Sequence, residues 1–221
     1  TPNEDAVPIV VNGASVWGTR NIKQAEQYMQ ENGLRPLAGI NADYFSFKTG
    51  IPMGYTIADG EIISKEYGGQ DAVGFRSDGT GFIKWLDIQT TVTDGEKSID
   101  VMYINKWCQA GFDPVYLLTD KFGKTTKTQS ECIFVICTPN EGRLPVDETV
   151  SLTVDDVFIY IGEIEIPEGK VVLLMDTSGV SEYYDFLSRL HAGQTLTVAN
   201  QAVGDDGTWK TAENAVSSVG G

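Results

Sequence analysis

The sequence predicts an α+β protein in which β structure dominates, built as a mixed, mostly antiparallel sheet system with two short helices. Three observations carry this expectation. Asp-Gly pairs at Asp59-Gly60, Asp78-Gly79 and Asp94-Gly95 are each flanked by β-forming residues. Hairpin turns of this kind need φ > 0, which Asp and Gly tolerate. Short apolar runs rich in Val, Ile, Tyr and Phe recur to the end of the chain, whereas helical spacing occurs in two places. Strands that follow one another in sequence, rather than alternating with helices, argue against a βαβ sheet.

The first element is a helix over Asn21–Asn32, where Ile22, Ala25, Tyr28 and Met29 form one apolar stripe. Asn21 with Gln24 three residues on makes a capping box, Gly33 is the C′ residue, and Pro36 prevents continuation. The stripe predicts that this face packs on the sheet. Leu37–Ile40 then reads as a short buried strand ending in the polar corner Asn41-Ala42-Asp43. Gly54–Ala58 and Glu61–Lys65 form the first hairpin, and Ala72–Ser77 and Thr80–Leu86 the second. In the latter, Phe82 and Lys84 alternate against Ile83 and Trp85, the period of a strand. Ile88–Thr93 and Ile99–Asn105 flank the third turn.

Beyond Trp107, strands are expected at Pro114–Thr119, Ser130–Thr138, Glu148–Val154, Asp156–Glu165, Lys170–Asp176 and Thr195–Val198. A second helix is expected over Glu182–Leu190, capped by Ser181 and stopped near Gly193. The change of texture divides the chain into a motif-bearing portion, 1–106, and a β-rich portion, 107–221.

Composition excludes several functions. A net charge of −15 argues against a nucleic-acid partner, which needs clustered Lys and Arg. The densest basic patch, Lys121, Lys124 and Lys127, reads as a solvated loop. No apolar run approaches the roughly 20 residues of a membrane span. Thr1-Pro2-Asn3-Glu4-Asp5 has no signal-peptide character, so an export signal either lies upstream or does not exist. Cys132 and Cys137 sit on one apolar run, roughly 16 Å apart in an extended strand and too far for a disulfide. With no CxxC spacing, no zinc cluster is expected, and the cysteines read as small buried hydrophobes. A bridge from Cys108 to one of the others stays open.

Familiar catalytic patterns are missing. His191 is the only histidine and suits a helix end. No Gly-x-Ser-x-Gly elbow or phosphate loop occurs. Asp155-Asp156 and Asp205-Asp206-Gly207 lack the ligand spacing of a calcium loop and read as turns. Glu163, Glu165 and Glu168 read as a solvent-facing strand edge. Neither metal nor cofactor is expected.

Function is carried by Gly39–Gly79. Asn41 offers a donor and an acceptor for sugar hydroxyls from a short side chain. Asp43 can accept a hydrogen bond, or act as a general acid if burial raises its pKa. Tyr44 or Phe45 can present an apolar face to a sugar ring, the other packing inward by strand alternation. Gly50 and Gly54 permit close backbone approach to a ligand. The blander reading is that Asn41 and Asp43 form a turn by bonding their own backbone.

The combination of Asn41-Ala42 with Tyr44-Phe45, the Gly50 and Gly54 pair, and Phe75 with Asp78-Gly79 resembles the first half of the phosphodiester glycosidase family. That family includes the uncovering enzyme, which removes N-acetylglucosamine from phosphodiester-capped mannose, and many bacterial surface proteins. The resemblance is strong over Gly39–Gly79 and weak over Val101–Gly221. It implies a hydrolase of sugar-1-phosphodiesters at the cell surface or outside the cell, with Asn41, Tyr44, Gly50 and Gly54 binding substrate and Asp43 catalytic. Relatives typically carry Gly at the Asp43 position, so that role transfers least. The family's second half brings an Arg-Thr-Ala strand and a Leu-Asp-Gly-Gly-Gly-Ser segment, neither present in these 221 residues. A Trp-containing segment similar to Thr208-Trp209-Lys210 through Val219-Gly220-Gly221 precedes that half in longer relatives. The expectation is therefore the front portion of a larger enzyme, with the C-terminal remainder as its partner and little activity alone. Two other readings stand beside it. One is a non-catalytic carbohydrate-binding module whose platform draws on Tyr44, Phe47, Trp85 and Trp107; the other is a scaffold domain of a bacterial surface protein.

Overall fold

The computed structural model describes residues 6–140, 142–178 and 181–217. The expected Val219-Gly220-Gly221 segment lies outside them. β1 (Thr56–Ala58), β2 (Glu61–Ser64), β3 (Gln70–Phe75), β4 (Gly81–Leu86) and β12 (Asn214–Ser217) form one sheet, ordered β2-β1-β12-β3-β4. The second unit is a closed barrel of β5 (Ile88–Thr93), β6 (Ser98–Ile104), β7 (Val115–Thr119), β8 (Glu131–Pro139), β9 (Glu148–Ile161), β10 (Val171–Asp176) and β11 (Thr195–Ala202). Its order is β10-β7-β6-β5-β11-β9-β8. β6 pairs with β7 in parallel, and the remaining neighbours are antiparallel. This is the β-dominant α+β class expected, with α1 (Ile22–Glu31) and α2 (Glu182–Ser188) as its two α-helices among the described residues.

All three Asp-Gly turns form, by two mechanisms. Asp59 and Gly60 both take positive φ, as a two-residue primed turn between β1 and β2 requires. Asp78 and Asp94 instead accept backbone N–H groups on their carboxylates, from Thr80 and from Glu96 and Lys97. Burial on both faces explains the apolar runs: every residue of β7 and of β10 is buried, with Val115, Leu117, Val171 and Leu173 in one core cluster and Tyr116, Leu118, Val172 and Leu174 in another. Closure removes the sheet edges that such strands would otherwise expose.

The expected break between Glu148–Val154 and Asp156–Glu165 is absent, because β9 runs on as one strand. Ile136 faces Asp156 while Cys137 faces Val154, so Asp155 is the extra residue of a β-bulge. Asp155-Asp156 is thus strand and not turn, and Asp155 pairs with Lys170 at 3.1 Å. Asp205-Asp206 does form a turn, held by Lys84 and capping Trp209 through Asp205 Oδ2. Trp209 is buried edge-on against Phe82, its indole N–H donating to the Trp85 carbonyl. That lock delivers β12 into the middle of the first sheet. Residue 106 bounds neither unit: the barrel takes β5 and β6 from before it and β7–β11 from after.

Two expectations fail in the N-terminal segment. The Asn21–Gln24 capping box is present, but α1 has no buried residue, and Ile22 is 60% exposed. Leu37–Ile40 is neither strand nor buried; Ile40 is 89% exposed. Periodicity specifies which face of a helix is apolar, not whether a partner covers it, and residues 34–43 find no neighbouring strand to pair with.

Cys108, Cys132 and Cys137 are buried free thiols. Cys132 beside Cys108, together with burial, holds the Cys108 proton and pushes its pKa up. Native protein is expected to resist a thiol reagent such as DTNB, and urea-unfolded protein to release three equivalents. Fewer than three without reductant would reveal a disulfide, and rapid native labelling would show that the barrel opens.

Candidate functional site

The motif lies on a loop that folds back on itself before β1. The Met53 N–H donates to the Tyr44 carbonyl at 2.8 Å, the Ser46 N–H donates to Ile51 at 2.9 Å, and Phe45 bridges Pro52. The tip turns at Gly50, φ +75°, where a Cβ would sit 2.2 Å from the Gly18 carbonyl carbon. Glycine at 50 therefore lets the loop dock on the 16–18 segment, an attachment completed by the Gly18 N–H donating to Thr49 O at 2.7 Å. Gly54 is buried and leads into β1.

Under this loop lies Lys106, which the sequence reading missed. Just past β6, its side chain is only 8% exposed and its ammonium donates to the carbonyls of Pro52 and Gly54. Its ion-pair partner is Glu66, at 3.6 Å. Burial pushes the Lys106 pKa down to about 8, opposed by Glu66 and Asp43. The preceding residue, Asn105, takes φ +52° and satisfies its amide on Ile63 O and Thr119. A second buried lysine, Lys65, donates to Val101 O and Met102 O. Burial lowers its pKa to about 8 as well.

Asp43 faces the opposite problem. Both carboxylate oxygens are shut off from solvent, and neither makes a hydrogen bond of normal geometry. Burial pushes its pKa up to about 6, while the Gly54 amide, Lys106 and the Tyr44 amide draw it down. These groups are thus close enough to act electrostatically without completing a bond. A carboxyl of this kind is part protonated near neutral pH and can give or take a proton there. Unsatisfied buried carboxylates are rare and concentrate at working sites.

The other expected site residues divide. Asn41 is exposed and, among the described residues, makes no hydrogen bond. Tyr44 and Phe45 are both exposed, so neither packs inward as strand alternation suggested; the segment is a loop and has no inward face. Phe45 instead meets Phe47 edge-on, ring centroids 5.3 Å apart, and Phe47 is 94% exposed. The structure brings Asp43, Gly54 and Lys106 together and leaves Asn41 and Tyr44 at the solvent side. Among the described residues no group of three or more His, Cys, Asp and Glu is arranged to hold a metal ion. No described helix is long and apolar enough to cross a membrane. Asn41→Ala is expected to leave stability within about ±0.5 kcal/mol, read from the urea midpoint. A larger loss would identify Asn41 as a turn former.

No protein-family model and no curated protein matches the chain. A solved structure does: a hypothetical protein from Synechocystis, with a TM-score of 0.67 at 14% identity. The match covers 93% of this chain and 35% of that one, so the chain spans about a third of its neighbour's length. At that identity the likeness concerns the fold alone.

Proposed function

We propose that this chain is part of a hydrolase that cleaves the sugar–phosphate bond of sugar-1-phosphodiesters, in a cell-surface or extracellular setting. The observation that supports this reading best is Asp43: a shielded carboxyl without hydrogen bonds, beside a buried lysine, on the loop that carries the glycosidase-like motif. In the reaction water adds to C1 of the sugar and a phosphate monoester leaves. The leaving group is a stable anion, so the protein's task is to activate water and hold the sugar. Asp43 relays the proton near neutral pH, and Lys106 offsets the charge it acquires. Asn41 bonds a sugar hydroxyl, and Tyr44 offers its ring face.

The longer parent protein supplies the second carboxylate, as the glycosidase resemblance implies. The test is hydrolysis of an N-acetylglucosamine-1-phosphodiester in ¹⁸O-labelled water, using the 221-residue chain and the longer parent. Label at sugar C1, rapid for the parent and residual for the short chain, is the expected result. Label in phosphate would make the protein a phosphodiesterase. Saturable glycan binding without turnover by either chain would favour the carbohydrate-binding module, a reading the exposed Tyr44 and Phe47 also suit.

A further inference from the structure

We infer that a cleft lined in part by Lys48 and Thr49 of the motif loop is a binding site for an anionic sugar, a pyranose carrying a phosphate or carboxylate group. The cleft has a volume of about 380 Å³ and is lined by Trp17, Trp107, Lys48, Lys127, Gln129 and Glu163, among others. That size falls within the range of small-molecule sites, roughly 300–1,000 Å³. Trp17 and Trp107 meet edge-to-face with centroids 6.2 Å apart, which stiffens the pair and fixes the aromatic wall. The Trp107 indole N–H is already committed to the Lys127 carbonyl at 2.9 Å, so this ring offers its apolar face to a ligand. An indole face suits the C–H side of a pyranose, and the Gln129 amide supplies both a donor and an acceptor for hydroxyls.

Charge selects the anionic form. The chain carries a net charge of −15, yet this cleft holds two lysines against one glutamate. Glu163 is engaged by Lys127 at 3.2 Å and by the Thr125 hydroxyl at 2.6 Å. Lys48 has no carboxylate partner among the described residues; its ammonium rests 4.3 Å over the Trp107 ring. Such a cation–π contact at an exposed site is weak enough for a ligand to displace. An entering anion would draw the ammonium off the ring and uncover the face that the sugar needs. Lys106 turns toward Pro52 and Gly54 while its neighbour Trp107 lines this cleft, so the cleft is built on the same segments as the Asp43 loop but with different side chains. The inference holds whether or not Asp43 performs chemistry.

The experiment follows the four indole N–H signals of the ¹⁵N-labelled chain, assigned with Trp17→Phe and Trp107→Phe, during titration with glucose 6-phosphate, glucuronate, glucose and inorganic phosphate. Both anionic sugars are expected to shift the Trp17 and Trp107 signals saturably with millimolar Kd, leaving Trp85 and Trp209 in place. Glucose is expected to bind at least fivefold more weakly, and Lys48→Ala to abolish that preference. Asp43→Asn is expected to leave the titration unchanged, which separates this site from the proposed hydrolysis. No saturable shift with either anionic sugar would overturn the inference. So would phosphate alone matching glucose 6-phosphate, or Lys48→Ala binding as well as the parent sequence. If only one anionic sugar binds, its anion identifies the group that the site takes.

Discussion

Lys106→Ala is expected to destabilise the protein by about 3–5 kcal/mol, the range for removing one partner of a buried ion pair. The side chain is 8% exposed and its ammonium donates to two carbonyls on the motif loop, Pro52 and Gly54. Its loss would strand both acceptors and remove the positive charge that acts on Glu66 and on Asp43. Domains have total stabilities of about 5–15 kcal/mol, so the variant would sit near its threshold. For a chain of this size the melting temperature should fall by roughly 6–20 °C. Lys106→Met keeps the apolar stem but not the donors and should recover a minor part. By contrast, Lys127→Ala removes a half-exposed pair with Glu163 and should leave the urea midpoint nearly unchanged. Urea midpoints of the three variants decide the matter. A Lys106→Ala change below about 1 kcal/mol would show that water enters and replaces the ammonium.

What could be read in advance follows the range of the interactions. Capping of α1 by Asn21 and Gln24, and of α2 by Ser181, depends on residues three apart, and both caps form. The Asp59-Gly60 turn is as local, and it forms with both φ values positive. Barrel closure is not local. It rests on the parallel pairing of β6 with β7, and the first sheet needs β12 to return between β1 and β3. No spacing in the chain encodes such partners. The continuity of β9 was hidden because Asp155-Asp156 looks like a turn, whereas a bulge accommodates the extra residue without ending the strand. At the site, the polar corner at Asn41 and Asp43 stood out because Asn and Asp after an apolar run are conspicuous. Lys106 did not, since a lone lysine between Asn105 and Trp107 carries no pattern. What could have drawn attention was Asn105 itself, one of the few non-glycine residue types that tolerate positive φ.

Asp43→Asn should separate the working role of this residue from a structural one, because the two predict opposite changes. The substitution keeps the shape and removes a charge that the fold holds without hydrogen bonds. Burial places the Asp43 pKa at about 6, above the unfolded value of 3.8. The folded state therefore favours the protonated form. Its contribution to stability is complete below about pH 3.8 and is lost as pH rises through about 6. The side chain is not wholly enclosed, and solvent screening reduces the effect to the order of 1–2 kcal/mol. Other carboxylates shift in both directions, Glu61 upward and Asp94 downward, so the difference between parent and variant isolates Asp43. Denaturation at pH 4, 5, 6 and 7 should show the variant gaining on the parent as pH rises, and more stable than it at pH 7. In the proposed hydrolysis the same substitution should reduce kcat by roughly 10²–10³-fold, since general acid–base catalysis contributes about 10²–10⁴. A variant less stable at pH 7 with undiminished turnover would make Asp43 a turn former and would remove it from the proposed chemistry.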